Sequence, residues 1–344
     1  MESSTNRPDI TGALRQSEAL VAAGSWDDAI RVLTESNRRE EHPEVEKKLL
    51  QLRHQAFASV TKKSSAVPDW PKSLPDYFPG VTSIPEIPAA ELCAEIVTSA
   101  IAHHGSLMVR GMIDKKVAEG IREAIDHSFN SAAEVPTPRT PMPPWYLPFR
   151  THSDKYSFGG PERSYARQGG GLHGVDAPRA LFRHLDALSA VGFDRMLEDY
   201  FGERVAISAK KTTLRRTEPG ALAGWHQDGA FLGTETRSLN IWTALSPCGE
   251  DAASLDIIPR RFNDLVEMGG PEIFDWAVSN ETAERYGGES AVRPVFETGD
   301  ALLFDQLTLH RTGVDSSMTK TRYAIEMWCF AASTYPHEQV PLCI

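Results

Sequence analysis

The strongest constraint on this chain is a set of three polar residues that must meet. His226 and Asp228 stand two apart in Trp225-His226-Gln227-Asp228-Gly229, and His310 lies far downstream in Leu309-His310-Arg311-Thr312-Gly313. On an extended strand, residues two apart point to the same face, so His226 and Asp228 project together while Gln227 turns away. A fold that adds His310 to that face must lay two remote segments side by side. Two neutral imidazoles and one carboxylate suit Fe(II) and leave three adjacent coordination positions open. A lone strand histidine is more often a satisfied polar residue than a ligand. Here the turn-rich approach from Gly220 to Gly229 and the tight turn Gly299-Asp300, leading into the strand before His310, set these positions apart.

The surrounding pattern supplies such a fold. From Val205 onward, short apolar runs alternate with turn residues. Strands are expected near Ala206–Arg216, Ala223–His226, Leu239–Ala244, Ser254–Ile258, Arg293–Phe296, Ala301–Asp305, Thr308–Thr312 and Arg322–Ala331. A helical insertion, Phe262 to Gly287, falls between the fourth and fifth. Eight strands so spaced suit a double-sheet jelly roll. The expected fold is mainly β with flanking helices: a double-stranded β-helix, cupin-like, preceded by a small N-terminal helical segment. Upstream, Ala89–His103, Lys115–Ala132 and Ala177–Phe201 read as helices, the last N-capped by Asp176 and closed by Gly202, and Ser106–Gly111 reads as a strand.

Residues 1–62 form the helical segment, breaking at Gly24-Ser25 and again at Pro43. Ala23-Gly24-Ser25-Trp26-Asp27-Asp28-Ala29-Ile30, continuing through Leu33 to Pro43, resembles the turn and second helix of one tetratricopeptide repeat. One repeat cannot bury its own face, so the segment should pack on the main domain or serve a protein partner or self-association. Residues 63–84, with Pro68, Pro71, Pro75 and Pro79, read as a linker. Residues 85–344 form the main domain. Within it, 133–175 is rich in proline and aromatics and ends in Gly169-Gly170-Gly171, which reads as a lid loop.

A net charge of −11 leaves no basic footprint for nucleic acid, although Lys210-Lys211 and Arg215-Arg216 are locally basic just ahead of His226. The four cysteines show no CxxC spacing and read as reduced thiols. Without a secretory signal or a long apolar run, the expected setting is cytoplasmic, with no membrane partner.

Several segments together carry a family resemblance. Trp225 to Gly229, Leu239-Asn240-Ile241-Trp242-Thr243-Ala244-Leu245, Leu255-Asp256-Ile257-Ile258-Pro259, Gly299 to Phe304, His310 to Gly313 and Arg322 resemble the phytanoyl-CoA dioxygenase family in order and spacing. The resemblance implies an Fe(II)- and 2-oxoglutarate-dependent oxygenase using O2, with His226, Asp228 and His310 as iron ligands. Arg322, on the last core strand, is the expected cation for the distal carboxylate of that 2-oxoglutarate, because a planar guanidinium pairs a carboxylate bidentately. Arg311, adjacent to His310, should face the other way. Thr312 shares the face of His310 and offers a hydroxyl to the same carboxylate. Trp242 matches a family position near the co-substrate, or is a core aromatic. The carboxylate at Asp228 implies hydroxylation or another oxidation rather than halogenation.

For a small-molecule substrate, Arg215, Arg216, His173 and Tyr156 are candidate contacts, with at least one of the arginine doublet expected on a solvated strand edge. Two other readings remain open at this stage. One is a non-catalytic ligand-binding or scaffold protein. The other is a metal-dependent cupin-type enzyme that does not use 2-oxoglutarate.

Overall fold

The strands expected from the alternating pattern assemble into two facing sheets, and the reason is visible along each strand. The computed structural model describes residues 9–60, 70–134, 144–151, 158–220, 224–269 and 275–344. Three helices come first: α1 (Ile10–Ala22), α2 (Trp26–Arg39) and α3 (Pro43–Ala56). Next come β1 (Glu86–Pro88), α4 (Ala94–His104), β2 (Ser106–Arg110) and α5 (Lys115–Ala133). Asp114 caps α5 by accepting from the backbone N–H of Lys116 and Val117, an arrangement worth about 1 kcal/mol. The chain continues through α6 (Gly160–Gln168), β3 (Gly171–His173), α7 (Pro178–Ala190), α8 (Phe193–Phe201) and β4 (Val205–Thr217). It ends with α9 (Gly229–Leu232), β5 (Ser238–Ala244), β6 (Ser254–Ile257), α10 (Asn280–Arg285), β7 (Ala301–Phe304), β8 (His310–Gly313), β9 (Arg322–Ala331) and β10 (Pro341–Cys343).

The large sheet runs β1-β2-β7-β5-β9-β4-β10, with β3 also paired to β4. Its two faces bury different things. On β9, Ala324, Trp328 and Phe330 join Trp242, Leu302 and Phe304 in the barrel interior, while Ile325, Met327 and Cys329 pack outward beneath the helices. Period-two alternation with both faces apolar is what a strand covered on both sides requires. The small sheet pairs β6 with β8 and is widened by bridges from His226 to His310 and from Ile257 to Val292. Two sheets facing each other in this way make the expected double-stranded β-helix. Among the described residues no helix is long and apolar enough to cross a membrane, and all four cysteines are free.

The fold departs from the sequence expectations in several places. Arg293–Phe296 is not a strand: only isolated bridges form, at Val292 and Phe296, because Pro294 between them has no N–H to give a ladder. The expected strand before His226 pairs only at Trp225 and His226, and residues 221–223 lie outside the described set. The helix expected over Ala177–Phe201 is two helices, split where Gly192 takes a left-handed φ of 75°. Asp176 does not cap it. That position falls to Ala177, and the buried Asp176 carboxylate instead accepts from Phe149 N–H at 2.7 Å and pairs with Arg163 at 2.7 Å. In the insertion over Phe262 to Gly287, the helix among the described residues is the short α10, and 270–274 lie outside the described set.

The N-terminal helices share the main core rather than forming their own. Val45, Leu49, Leu52, Ala56 and Phe57 belong to the same apolar cluster as α7, α8 and the outer face of the large sheet. Of the expected lid, 135–143 and 152–157, including Tyr156, lie outside the described residues; of the rest, 144–151 forms neither helix nor strand, while Gly160–Gln168 forms α6 and Gly171–His173 forms β3, which pairs with β4.

Candidate active site

The centre of the barrel mouth is built on one antiparallel pair. His226 N–H donates to His310 C=O at 2.9 Å and His310 N–H donates to His226 C=O at 3.1 Å. Residues exchanging both bonds lie directly opposite, so their side chains share a face. The rings stand 4.4 Å apart between centroids. Asp228 arrives differently from the simple strand expectation. Extended structure stops at His226, and Asp228 sits in helical conformation (φ −63°, ψ −20°) at the start of α9. The turn is pinned by Gln227, whose amide donates to Leu307 C=O at 2.6 Å and accepts from Val266 N–H at 2.7 Å.

The three side chains nevertheless converge. Asp228 Oδ1 is 3.9 Å from His226 Nε2, and Asp228 Oδ2 is 3.8 Å from His310 Nε2. Their ligand atoms all lie within 4.8 Å of one another, the one such group of three among the described residues. Each imidazole has its other nitrogen occupied: His226 Nδ1 lies 2.9 Å from Gly224 C=O and His310 Nδ1 3.0 Å from Thr308 C=O. Carbonyls only accept, so both Nδ1 atoms carry the proton and both Nε2 lone pairs point at the gap, the tautomer a metal ligand needs. Burial, with the neighbouring His310, pushes His226 down to about 3, so it is neutral at ordinary pH. Asp228 Oδ2 is buried with no hydrogen-bond partner. An orphaned carboxylate oxygen facing two imidazole lone pairs fits a divalent cation.

Arg322 opens β9 and is 4 % exposed. Its Nη2 donates to Thr217 Oγ1 at 2.7 Å, its Nε has no partner, and its guanidinium lies 5.3 Å from the centre of the Trp242 ring. No carboxylate pairs with it among the described residues. Burial pushes its pKa down to about 10, with Cys248 opposing. A buried cation without a counter-ion is costly unless a ligand supplies one. Thr312 lies on the same face of β8 as His310, and Trp242 faces the interior against Phe296. Arg311 points the other way, to Asp256 at 2.9 Å.

The arginine doublet splits by strand parity. Arg215 faces inward and pairs with Glu326 at 2.9 Å, whereas Arg216 faces outward to Asp126 at 3.3 Å and the Phe129 ring, away from the His226 cluster. Burial pushes the Glu326 carboxyl up, but Arg215 and Lys211 outweigh it and hold it below the usual carboxylate range. His173 is buried on β3 opposite Thr213, its Nε2 3.3 Å from Glu162 C=O.

Among the described residues, five inward-facing groups escaped the sequence reading. Glu326 and Lys211 lie inside, and Phe231 and Trp276 form an aromatic wall in which Trp276 stands 5.5 Å from the His226 ring. Asn240 adds an amide whose two polar atoms are buried and unpaired. The Lys210-Lys211 doublet was the visible signal for one of them. The others look like ordinary strand or loop residues until register is known.

The family model for phytanoyl-CoA dioxygenase (PhyH) matches residues 102–322, and the chain belongs to that family of Fe(II)- and 2-oxoglutarate-dependent oxygenases, which use O2. No curated protein matches the chain. Similar solved structures include EctD from S. alaskensis with 2-oxoglutarate and 5-hydroxyectoine, 16% identical, covering 77% of this chain and 89% of that one, with a TM-score of 0.49. EctD from S. alaskensis with bound Fe is 15% identical, covering 70% of this chain and 77% of that one, at 0.46. EvdO2 from Micromonospora carbonacea var. aurantiaca complexed with 2-oxoglutarate is 15% identical, covering 70% and 89%, at 0.44.

Proposed function

We propose that the chain hydroxylates a small molecule, with His226, Asp228 and His310 holding Fe(II) and Arg322 holding the distal carboxylate of 2-oxoglutarate. The observation that carries this is the pair of Nε2 lone pairs aimed at an orphaned Asp228 oxygen, each fixed by a backbone carbonyl behind it. With metal and keto acid bound, the centre couples oxidation of a C–H bond to release of succinate and CO2.

The protein's own contribution is placement. Gly224 and Thr308 hold both imidazoles in one tautomer, and Gln227 holds the turn that brings Asp228 to them. Arg322 gives the keto acid one orientation, with Thr217 steering the guanidinium and Thr312 within the same face. Trp242 closes the wall beside it. Phe231 and Trp276 shield the opening from water, which protects a reactive site from side reactions. Arg215, inward beside Glu326, is kept as a substrate contact; His173 packs against Phe158 and the Glu162 carbonyl, and Arg216 faces outward to Asp126.

Anaerobic addition of Fe(II) and 2-oxoglutarate should give a visible charge-transfer band, and His226→Ala should lose it. A wild-type protein with no band, or a variant with an undiminished one, overturns the reading. Undiminished succinate release by Arg322→Ala would mean that another residue holds the distal carboxylate of 2-oxoglutarate.

A further inference from the structure

Among the described residues, the barrel interior holds one more positive charge than the iron and 2-oxoglutarate site uses. Three described cations face inward: Arg322 on β9, and Lys211 and Arg215 on β4. Glu326 already neutralises Arg215 at 2.9 Å. With iron and 2-oxoglutarate in place, Fe(II) with Asp228 and the doubly charged keto acid leaves one negative charge, which Arg322 cancels. Lys211 remains. Among the described residues no carboxylate oxygen lies within 4.0 Å of its ammonium. The Phe231 ring lies 3.8 Å from Nζ to its centroid, while burial pushes the ammonium's pKa down and the Asp228 and Glu326 carboxylates, too far away to pair with it, oppose that shift. A ring face attracts a cation but carries no net charge to cancel it. Phe231 in turn packs against Trp276, whose ring stands beside His226. The uncancelled ammonium is therefore set at the edge of an aromatic wall that reaches the metal ligands.

We propose that the substrate is a small molecule with one carboxylate and an apolar or aromatic body, the carboxylate docking on Lys211 and the body lying along Phe231 and Trp276. This rests on the iron and 2-oxoglutarate reading. A single residual charge matches a carboxylate better than a phosphate monoester, which brings nearly two. An ammonium on a flexible stem recognises an anion as a point charge, so it selects for charge more than for shape. The anchor would leave the far end of the body free to be set near the metal ligands, where a C–H bond is to be oxidised.

The test uses three matched probes on the anaerobic complex with Fe(II) and saturating 2-oxoglutarate: 3-phenylpropanoate, 3-phenylpropanamide and 3-phenylpropylammonium. Calorimetry should show the carboxylate binding at least tenfold more tightly than the amide, and the ammonium weakest. Lys211→Met, which keeps an apolar stem, should bring the carboxylate and amide within twofold of each other. It should move the 2-oxoglutarate midpoint of the charge-transfer band by less than twofold. Equal affinity for carboxylate and amide in the wild type, or no binding of any probe, overturns the proposal. So does a tenfold shift of the 2-oxoglutarate midpoint in Lys211→Met, which would assign the ammonium to the co-substrate. A probe that bleaches the band has displaced the keto acid and counts against it as well. Absence of the band before any probe is added is a different failure, that of the iron reading itself.

Discussion

Arg322 is a residue that folding alone would not retain. Its guanidinium is buried, unpaired at Nε and without an acid partner among the described residues, so in the ligand-free protein it is a net cost. Replacing it with an apolar side chain of similar length should therefore separate stability from binding. Arg322→Met is expected to keep or raise the thermal midpoint of the ligand-free protein. The same change should weaken 2-oxoglutarate by roughly 10- to 150-fold, since hydrogen bonds to a charged group are worth about 1.5–3 kcal/mol. Wild type should gain stability on adding 2-oxoglutarate with metal, and the variant should gain less at the same concentration. Thermal melts with and without the keto acid check both halves, and a variant that loses stability without ligand would mean Arg322 is structural. At this scale the sequence picked out His226 and Asp228 by their two-residue step, although the strand geometry assumed for that step stops at His226, and it placed Arg322 at the start of the last core strand, where β9 begins. It was silent on Gln227, Glu326 and Asn240. Their roles depend on which side of a strand or turn meets the cavity, which only the register decides.

Strands and turns show the same division. β9 has the boundaries expected from its alternation, and β4 grows by one residue at each end of its expected span. Continuous two-faced apolar patterns leave little choice of structure. The misreadings came where a local signal had two uses. Asp176 has the residue type of a helix cap but serves as a buried anchor for Arg163 and Phe149. Gly192, read as part of a helix, instead breaks it. The Gly299-Asp300 turn into β7 was legible, and it shows how tightly an element can be specified. Gly299 has φ 99° and sits against Ile113, whose N–H donates to the Gly299 carbonyl at 2.9 Å. A Cβ there would run into the Ile113 carbonyl oxygen. Gly192 also has positive φ, but its Cβ would meet nothing within 4 Å. Gly192→Ala should therefore cost only about 1 kcal/mol of backbone strain, and Gly299→Ala about 2–3 kcal/mol because the clash adds to it. Urea unfolding of the two variants side by side tests the order. Equal losses would mean that the turn shifts to make room.

Across the whole molecule, the first helices and the last strand hold each other on the sheet. Arg53 Nη1 donates to Cys343 C=O at 2.8 Å, and His54 Nδ1 lies 2.9 Å from Pro341 C=O. β10 pairs with β4, which carries Arg215 and Lys211 on its inner side. The repeat-like pattern in residues 1–62 announced helices with an apolar face to cover. It did not say what covers them, because these contacts join opposite ends of the chain. The docking also includes a buried charge: Glu46 is fully buried on α3 and pairs with Arg179 of α7 at 2.9 Å, while Glu41 lies 3.2 Å from the same guanidinium. Burial pushes the Glu46 carboxyl up, and Arg179 opposes that shift. Breaking a buried pair typically costs ~3–5 kcal/mol, because the abandoned charge stays buried. Glu41 remains to partner Arg179, so Glu46→Ala should cost on the order of 2–3 kcal/mol. Replacing both members with apolar side chains, as Glu46→Leu with Arg179→Met, removes the stranded charge and should recover most of that loss. If the segment were an independent unit, neither change would move the main unfolding transition. Urea melts followed by far-ultraviolet circular dichroism and by tryptophan fluorescence decide this. Coincident curves, shifted together by Glu46→Ala and restored together in the double variant, are the outcome expected of one shared core.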